Sequence, residues 1–411
     1  MSYLEFIRRQ ARFLIFGFLM MGLSNYGQTF FIALYSAEIR DDFNLSNAGF
    51  GGLYSAMTLL SAFVMVYSGR LIDTWPLRRF VSFVLVGLAL GCVAMGLASH
   101  VVVLAVALFL LRHFGQALSS HTGMTATARA YDKNRGQAIS LIQLGYAGFE
   151  GFFPLMAVGL IAIIGWQQSW LIYALALFLL ALPLQIYLSG AEPPAAHHAE
   201  AEQEGVPQAD RRAVLRDKRL YMVLPLYMAS PFLLTGMFFH QVQLADARDW
   251  DIAVLAGAFS LYAGLKIIAS LSTGPLIDRF SATRIMPFMS VPLLLGFLLI
   301  LIPENIFGAA TPFVYMGLLG IHLGMAGAVS GGLWPELFGT GHLGAIRSLT
   351  SPIAIFATAA APVLFGAVID AGFDFQAIAF GCVGFVSLAA LFAFAAGRDT
   401  FLKTSGGETH G

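Results

Sequence analysis

Charged side chains are scarce in this chain. Lys, Arg, Asp and Glu make up 11% of its 411 residues, in equal numbers of each sign, so the net charge is zero. Soluble domains carry about a quarter charged residues, which argues against a water-soluble globule. The even balance gives no support to a nucleic-acid partner or an acidic one. Cysteine is nearly absent. Cys92 and Cys382 are the two, each inside an apolar run, which leaves no basis for a disulfide framework or a thiolate metal site. Three signatures are also missing. Without H-E-x-x-H or G-x-S-x-G the chain is expected not to be an enzyme. Without G-x-x-x-x-G-K-[ST], ATP is not expected to drive it. No cofactor and no metal are expected.

Apolar length is what the chain has. Hydrophobic residues reach 58%, with 36 Phe. A bilayer-crossing helix needs about 20 largely apolar residues. Twelve stretches qualify, at 13–36, 47–69, 79–99, 101–123, 137–164, 167–189, 221–244, 252–275, 284–303, 309–333, 345–369 and 375–397. The first follows "RRQAR", but its length and its Asn25, Tyr26 and Gln28 mark it as a span rather than a signal peptide. The expected fold is an all-α polytopic membrane protein of twelve transmembrane helices. Basic residues crowd into the loops of one face. With both termini cytoplasmic, the outer loops keep only Arg40 and Arg248.

The longest polar stretch, 190–219, mixes Pro, Ala and charges and reads as a mobile cytoplasmic linker. His197 and His198 lie in it and read as solvated. It divides the chain into bundles 1–189 and 220–411, six helices each. The halves echo one another. "GRLIDTWPLRR", Gly69 to Arg79, follows the second stretch, and "GPLIDRFSATR", Gly274 to Arg284, follows the eighth at an offset of 205. "RGQAISL" before the fifth stretch is echoed by "LGAIRSL" before the eleventh. Such repeats fit two parallel bundles.

The G-x-L-x-D loop with basic residues, twice, together with twelve stretches and a central linker, resembles the major facilitator superfamily. "LLRHFGQ" resembles the arginine motif of its fourth helix. Pro76 and Ser281 stand where the family usually has Gly. The resemblance implies that Gly69, Asp73, Arg78, Arg79, Gly274, Asp278 and Arg284 form a conformational latch. By chemistry alone, Asp73 and Asp278 either pair with nearby arginines or cap the following helix, and the loops either latch or simply anchor at the headgroups. "FFHQVQLADARDWD" and "WPELFGTGHLGAIRS" are weakly similar to bacterial monocarboxylate and oxalate transporters.

Ionisable groups inside a span cost several kcal/mol on modest scales, yet Arg112, Glu150 and Lys266 lie well inside. Histidines 113, 121, 240 and 322 also fall in or near spans. Arg112 and Glu150 sit at similar depth in neighbouring stretches and are expected to be able to pair, either as a static structural pair or as a working one. Lys266 has no acid at its depth in its own half, and either binds an anion or snorkels to the surface. The third, sixth, ninth and twelfth stretches contain almost nothing polar, which agrees with the superfamily, where helices 1, 4, 7 and 10 line the cavity, 2, 5, 8 and 11 flank it and 3, 6, 9 and 12 face the lipid.

The expected function is therefore secondary active transport of a small organic anion, a monocarboxylate, by alternating access with proton symport. Arg112 and Lys266 are expected to hold its charge. Asn25, Tyr26, Gln28, Gln143, Tyr146, Tyr262 and His322 are expected to orient it, and Glu150 and His240 to couple protons. The alternatives are a proton-driven exporter of drug-like amphiphiles and a solute-sensing receptor. The expected partners are the substrate, the proton and the lipid bilayer of the cell membrane, with the protein acting as a monomer. Gly317, Gly320, Gly324, Gly327 and Gly331 form a helical stripe on which a neighbouring backbone is expected to pack.

Overall fold

The computed structural model describes residues 3–131, 134–191, 211–302, 306–339 and 343–405, which are helical throughout apart from short turns. Twelve principal helices follow one another. They are α1 Tyr3–Leu23, α2 Asn47–Ser68, α3 Leu77–Gly96, α4 Val101–Ala130, α5 Arg135–Ile164, α6 Trp166–Ser189, α7 Lys218–Phe239, α8 Ile252–Phe280, α9 Ala282–Leu301, α10 Gly308–Phe338, α11 Leu343–Asp370 and α12 Phe375–Ser405. Among the described residues, eleven helices, those after α1, are long and apolar enough to cross a bilayer. The first turns of α1 carry Glu5, Arg8, Arg9 and Arg12.

The chain forms two compact units. One is 1–200 with 238–242, and the other is 201–237 with 243–411. The stretch expected to be a mobile linker lies largely at 192–210, outside the described residues, and takes His197 and His198 with it. Its far end is ordered as a short helix, Arg211–Arg216, and Asp217 then caps α7 by accepting from the Arg219 amide at 2.8 Å.

In the first unit, the span expected to run unbroken over 13–36 is interrupted. α1 ends at Leu23, a 3-10 turn covers Ser24–Gly27, and Gln28 is extended at φ −79°, ψ 150°. The cause is local. Ser24 Oγ donates to the Met21 carbonyl (2.6 Å) and Asn25 Nδ2 to the Gly22 carbonyl (2.9 Å), so two side chains compete with the helix for backbone acceptors. The break lies against a second irregularity, a π-helical stretch of α4 at Leu111–Ser119, where Ser119 Oγ bonds the Phe114 carbonyl at 2.9 Å. Gly27 makes the approach possible. A Cβ there would collide with the Leu111 carbonyl and the Gln116 amide. Beside the break, Tyr26, Phe31, Tyr35, Phe153, Trp170 and Tyr173 form a ring-on-ring core, with the Tyr35 and Tyr173 hydroxyls 2.9 Å apart.

In the second unit the glycine stripe is used in part. Gly320 and Gly324 of α10 press on the Tyr262 and Lys266 carbonyls of α8, and Gly317 on Leu265. A Cβ on Gly327 or Gly331 would meet nothing within 4 Å among the described residues, so there the expected seam covers only its first half. Arg248, 3% exposed, closes the end of α9 by donating to the carbonyls of Ile300 (3.0 Å) and Ile302 (2.9 Å). A cation at a helix C-terminus satisfies its free carbonyls and its dipole together.

Candidate functional site

Arg112 stands where α4 turns π-helical, and it is 2% exposed. Its Nε donates to Thr58 Oγ1 at 3.0 Å and its Nη1 to the Gly27 carbonyl at 2.8 Å. Its guanidinium carbon lies 4.9 Å from the centre of the Tyr54 ring, and the Tyr54 hydroxyl is 2.8 Å from Thr29 Oγ1. The Phe239 ring packs on Tyr54 at 4.8 Å. The broken α1 is what makes one of these acceptors available to the guanidinium. Hydrogen bonds to a charged group contribute about 1.5–3 kcal/mol each. Inserting an arginine at mid-bilayer costs about 2.5–3.5 kcal/mol on the insertion scale. Two such bonds and a ring face therefore suffice to hold Arg112 without a carboxylate. Its direct pairing with Glu150, expected from depth, is not among its contacts. Nη2 is left without a hydrogen-bond partner among the described residues.

Glu150 is 3% exposed, one helical turn beyond Tyr146. Tyr146 lies within electrostatic range of both Glu150 and Arg112. Asn25 fastens the broken helix to α5 through Nδ2 to the Tyr146 carbonyl at 3.1 Å, and its Oδ1 is buried with no hydrogen-bond partner among the described residues. The structure thus brings Asn25, Arg112, Tyr146 and Glu150 together. Tyr26 is spent differently, as part of the aromatic core. Gln28 forms the extended step of the break, and Gln143 is exposed with Nε2 3.6 Å from Met124 Sδ. His240 is 1% exposed beside the Phe239 ring.

In the second unit Lys266 is half-buried, with Nζ 5.5 Å from the centre of the Tyr262 ring one turn earlier. His322 is fully buried and occupied on both nitrogens. Nδ1 is 2.7 Å from the Met289 carbonyl, which only accepts, so Nδ1 carries the proton and Nε2 faces Ser230 Oγ at 2.7 Å. His322 ties α7, α9 and α10 rather than pointing a free edge at a ligand. An apolar cavity of about 570 Å³ lies between α7, α11 and α12, lined by Phe232, Phe365, Ile378, Cys382 and Phe385 among others.

The first G-x-L-x-D loop is anchored within its own unit. Asp73 pairs with Arg129 at the end of α4, and Arg129 Nη1 donates to the Ile72 carbonyl at 3.2 Å. His121 Nε2 donates to the Gly69 carbonyl at 3.1 Å. Arg79 lies over the Trp75 ring, and Arg78 sits against Gly190. Asp73 therefore neither pairs with the loop's own arginines nor caps α3, whose N-cap, Pro76, makes no side-chain bond. The second loop is built otherwise. Asp278 is exposed, and a Cβ on Gly274 would meet nothing within 4 Å among the described residues. Glu336 at the end of α10 accepts from the amides of Ala282 (2.6 Å) and Thr283 (3.0 Å) and from Thr283 Oγ1 (2.9 Å), while the Arg284 amide donates to Ser281 Oγ at 3.4 Å.

Thr58, Tyr54, Arg129 and Glu336 were not singled out from the sequence. A signal existed for the first two, since Tyr54, Thr58, Ser61 and Ser68 recur at helical spacing along α2. Glu336 had a weaker one, the Pro-Glu pair that ends the glycine-rich helix.

Solved structures with this fold include a bacterial homologue of the human lysosomal transporter Spinster in an inward-facing, unoccupied conformation. It has a TM-score of 0.70 and 15% identity, over 96% of this chain and 98% of that one. The nucleoside transporter NupG superposes with a TM-score of 0.69 and 14% identity, over 95% and 98%. No curated protein matches by sequence. The family model of the Major Facilitator Superfamily matches residues 14–354, and with most of its length so matched this chain belongs to that superfamily of membrane transporters.

Proposed function

We propose that this protein is a secondary active transporter of a small organic anion, a monocarboxylate, moved by alternating access together with a proton. The observation that carries the reading is Arg112. It is a buried, permanently charged group whose hydrogen bonds among the described residues go to neutral oxygens, with Nη2 left over there. A carboxylate is the group that a free guanidinium edge recognises best. Lys266 supplies a second cation, and Tyr146 and Asn25 Oδ1 supply polar edges near the first. Glu150, in the same cluster as Arg112, is the proton carrier, with His240 as a second candidate. We read the protein as a monomer of the cell membrane with both termini cytoplasmic.

Uptake into proteoliposomes of purified protein tests this. Accumulation of a labelled monocarboxylate driven by a pH gradient is expected, and its loss in Arg112→Lys, which keeps the charge but not the fork. Binding without accumulation would make the protein a receptor instead. The rival transport reading, export of amphiphiles, draws on the apolar cavity of about 570 Å³. Gradient-driven transport of apolar dyes, with no carboxylate uptake, would favour it.

A further inference from the structure

The end of α6 gathers cations that form no ion pair among the described residues. α6 has no basic residue in its own last turn. Arg12, from the first turns of α1, lays its guanidinium over the Tyr187 ring, with Cζ 3.9 Å from the centre, and donates through Nη2 to the Tyr187 carbonyl. Arg78, from the start of α3, presses its guanidinium on Gly190, where a side chain would occupy its place. Two arginines from separate helices thus meet within one turn of the same helix end. Arg79 follows, with Cζ 4.4 Å from the centre of the Trp75 ring. All three arginines are exposed. None of them forms an ion pair among the described residues, and the first turn of α3 contains no acid.

The helix dipole at the α6 terminus offsets only about half a charge, so among the described residues a net positive charge remains. Its setting indicates what the missing anion is. Tyr187 and Trp75 are aromatic residues at the ends of apolar spans, the position such rings take at the membrane–water boundary. Arginine forks fit phosphate oxygens, and basic clusters at that depth attract anionic headgroups. We infer that Arg12, Arg78 and Arg79 form a binding site for the phosphate of an anionic phospholipid headgroup, with Tyr187 and Trp75 at the level of the glycerol and upper acyl chain. The site joins α1, α3 and α6, so a bound headgroup braces the loop that carries Asp73. It is independent of the substrate proposed above.

Native mass spectrometry of the full-length protein, released from nanodiscs of phosphatidylcholine with phosphatidylglycerol, tests the site. Wild type is expected to retain phosphatidylglycerol in preference to phosphatidylcholine. Each arginine near an anionic surface contributes about a fivefold preference, so Arg12→Gln with Arg78→Gln is expected to lower it roughly 25-fold. Arg79→Gln touches neither helix-end contact and is expected to lower it about fivefold in a normally folded protein. Arg216→Gln removes an exposed arginine elsewhere and is expected to change nothing. An unaltered preference in Arg79→Gln and in the double variant, or an equal fall in Arg216→Gln, overturns the site. Displacement of the lipid by millimolar inorganic phosphate would overturn the headgroup as the source and leave a site for the free anion.

Discussion

Arg112 Nη1 donates to the carbonyl of Gly27 across 2.8 Å, which joins the π-helical stretch of α4 to the break in α1. Neither irregularity is independent of the other. The break places an acceptor beside the guanidinium, and the glycine admits α4 at backbone distance. A buried charge and two distorted helices are thus one construction.

Thr58→Val is expected to weaken that construction without emptying it. Arg112 would lose one charged hydrogen bond, about 1.5–3 kcal/mol, while keeping Gly27 and the Tyr54 ring. Gly27→Ala is expected to be worse, because the added methyl meets backbone, which cannot rotate away. Overpacking of this kind costs about 1–3 kcal/mol, and here the site's geometry moves as well. Thermal unfolding in detergent, with anion affinity measured on the same samples, checks both. Equal affinity in Gly27→Ala and wild type would separate the α1 break from the site.

Asp73→Asn is expected to leave thermal stability nearly unchanged, since the Asp73 and Arg129 side chains are 52% and 34% exposed and exposed pairs contribute about 0–1 kcal/mol. If the loop is a latch, turnover falls nonetheless. The double variant with Arg129→Gln is then expected to be no slower than the slower of the two single variants, because both act through one contact. Normal turnover in Asp73→Asn would reduce the loop to an anchor.

Glu336→Gln is expected to affect the second unit more than Asp278→Asn. The Glu336 carboxylate accepts three hydrogen bonds at the start of α9, whereas Asp278 is exposed. Loss of a helix N-terminal acceptor costs about 0.5–2 kcal/mol. Thermal unfolding of the two variants ranks them, and a larger loss for Asp278→Asn would refute the assignment.

Glu150→Gln mimics a permanently protonated carboxyl. Under the symport reading it is expected to exchange substrate across the membrane yet fail to concentrate it in response to a pH gradient. Gradient-driven accumulation by the variant would move the coupling site to His240. Counterflow and pH-jump uptake on the same proteoliposomes distinguish the two.

Much of the architecture was legible in the amino-acid order, because the bilayer imposes a simple requirement. Every spanning backbone must satisfy its own hydrogen bonds, so about 20 apolar residues mean a helix. The recurrence of Gly69–Arg79 at Gly274–Arg284 carried the family, and the depth of Arg112 and Glu150 singled out the polar cluster. Tertiary structure decided the partners. Depth alone allowed a pair between Arg112 and Glu150, but Arg112 bonds Thr58 and Gly27, because a break four residues long brought a carbonyl within reach of the guanidinium. His322 reads as a ligand residue from its place in an apolar run, yet both its nitrogens are taken by Ser230 and Met289. Two loops written alike are held by opposite charges, Arg129 in one unit and Glu336 in the other. Composition and spacing determine which segments are helices and how deep a side chain lies. They do not determine which neighbour reaches it, since that depends on backbone irregularities that only packing sets.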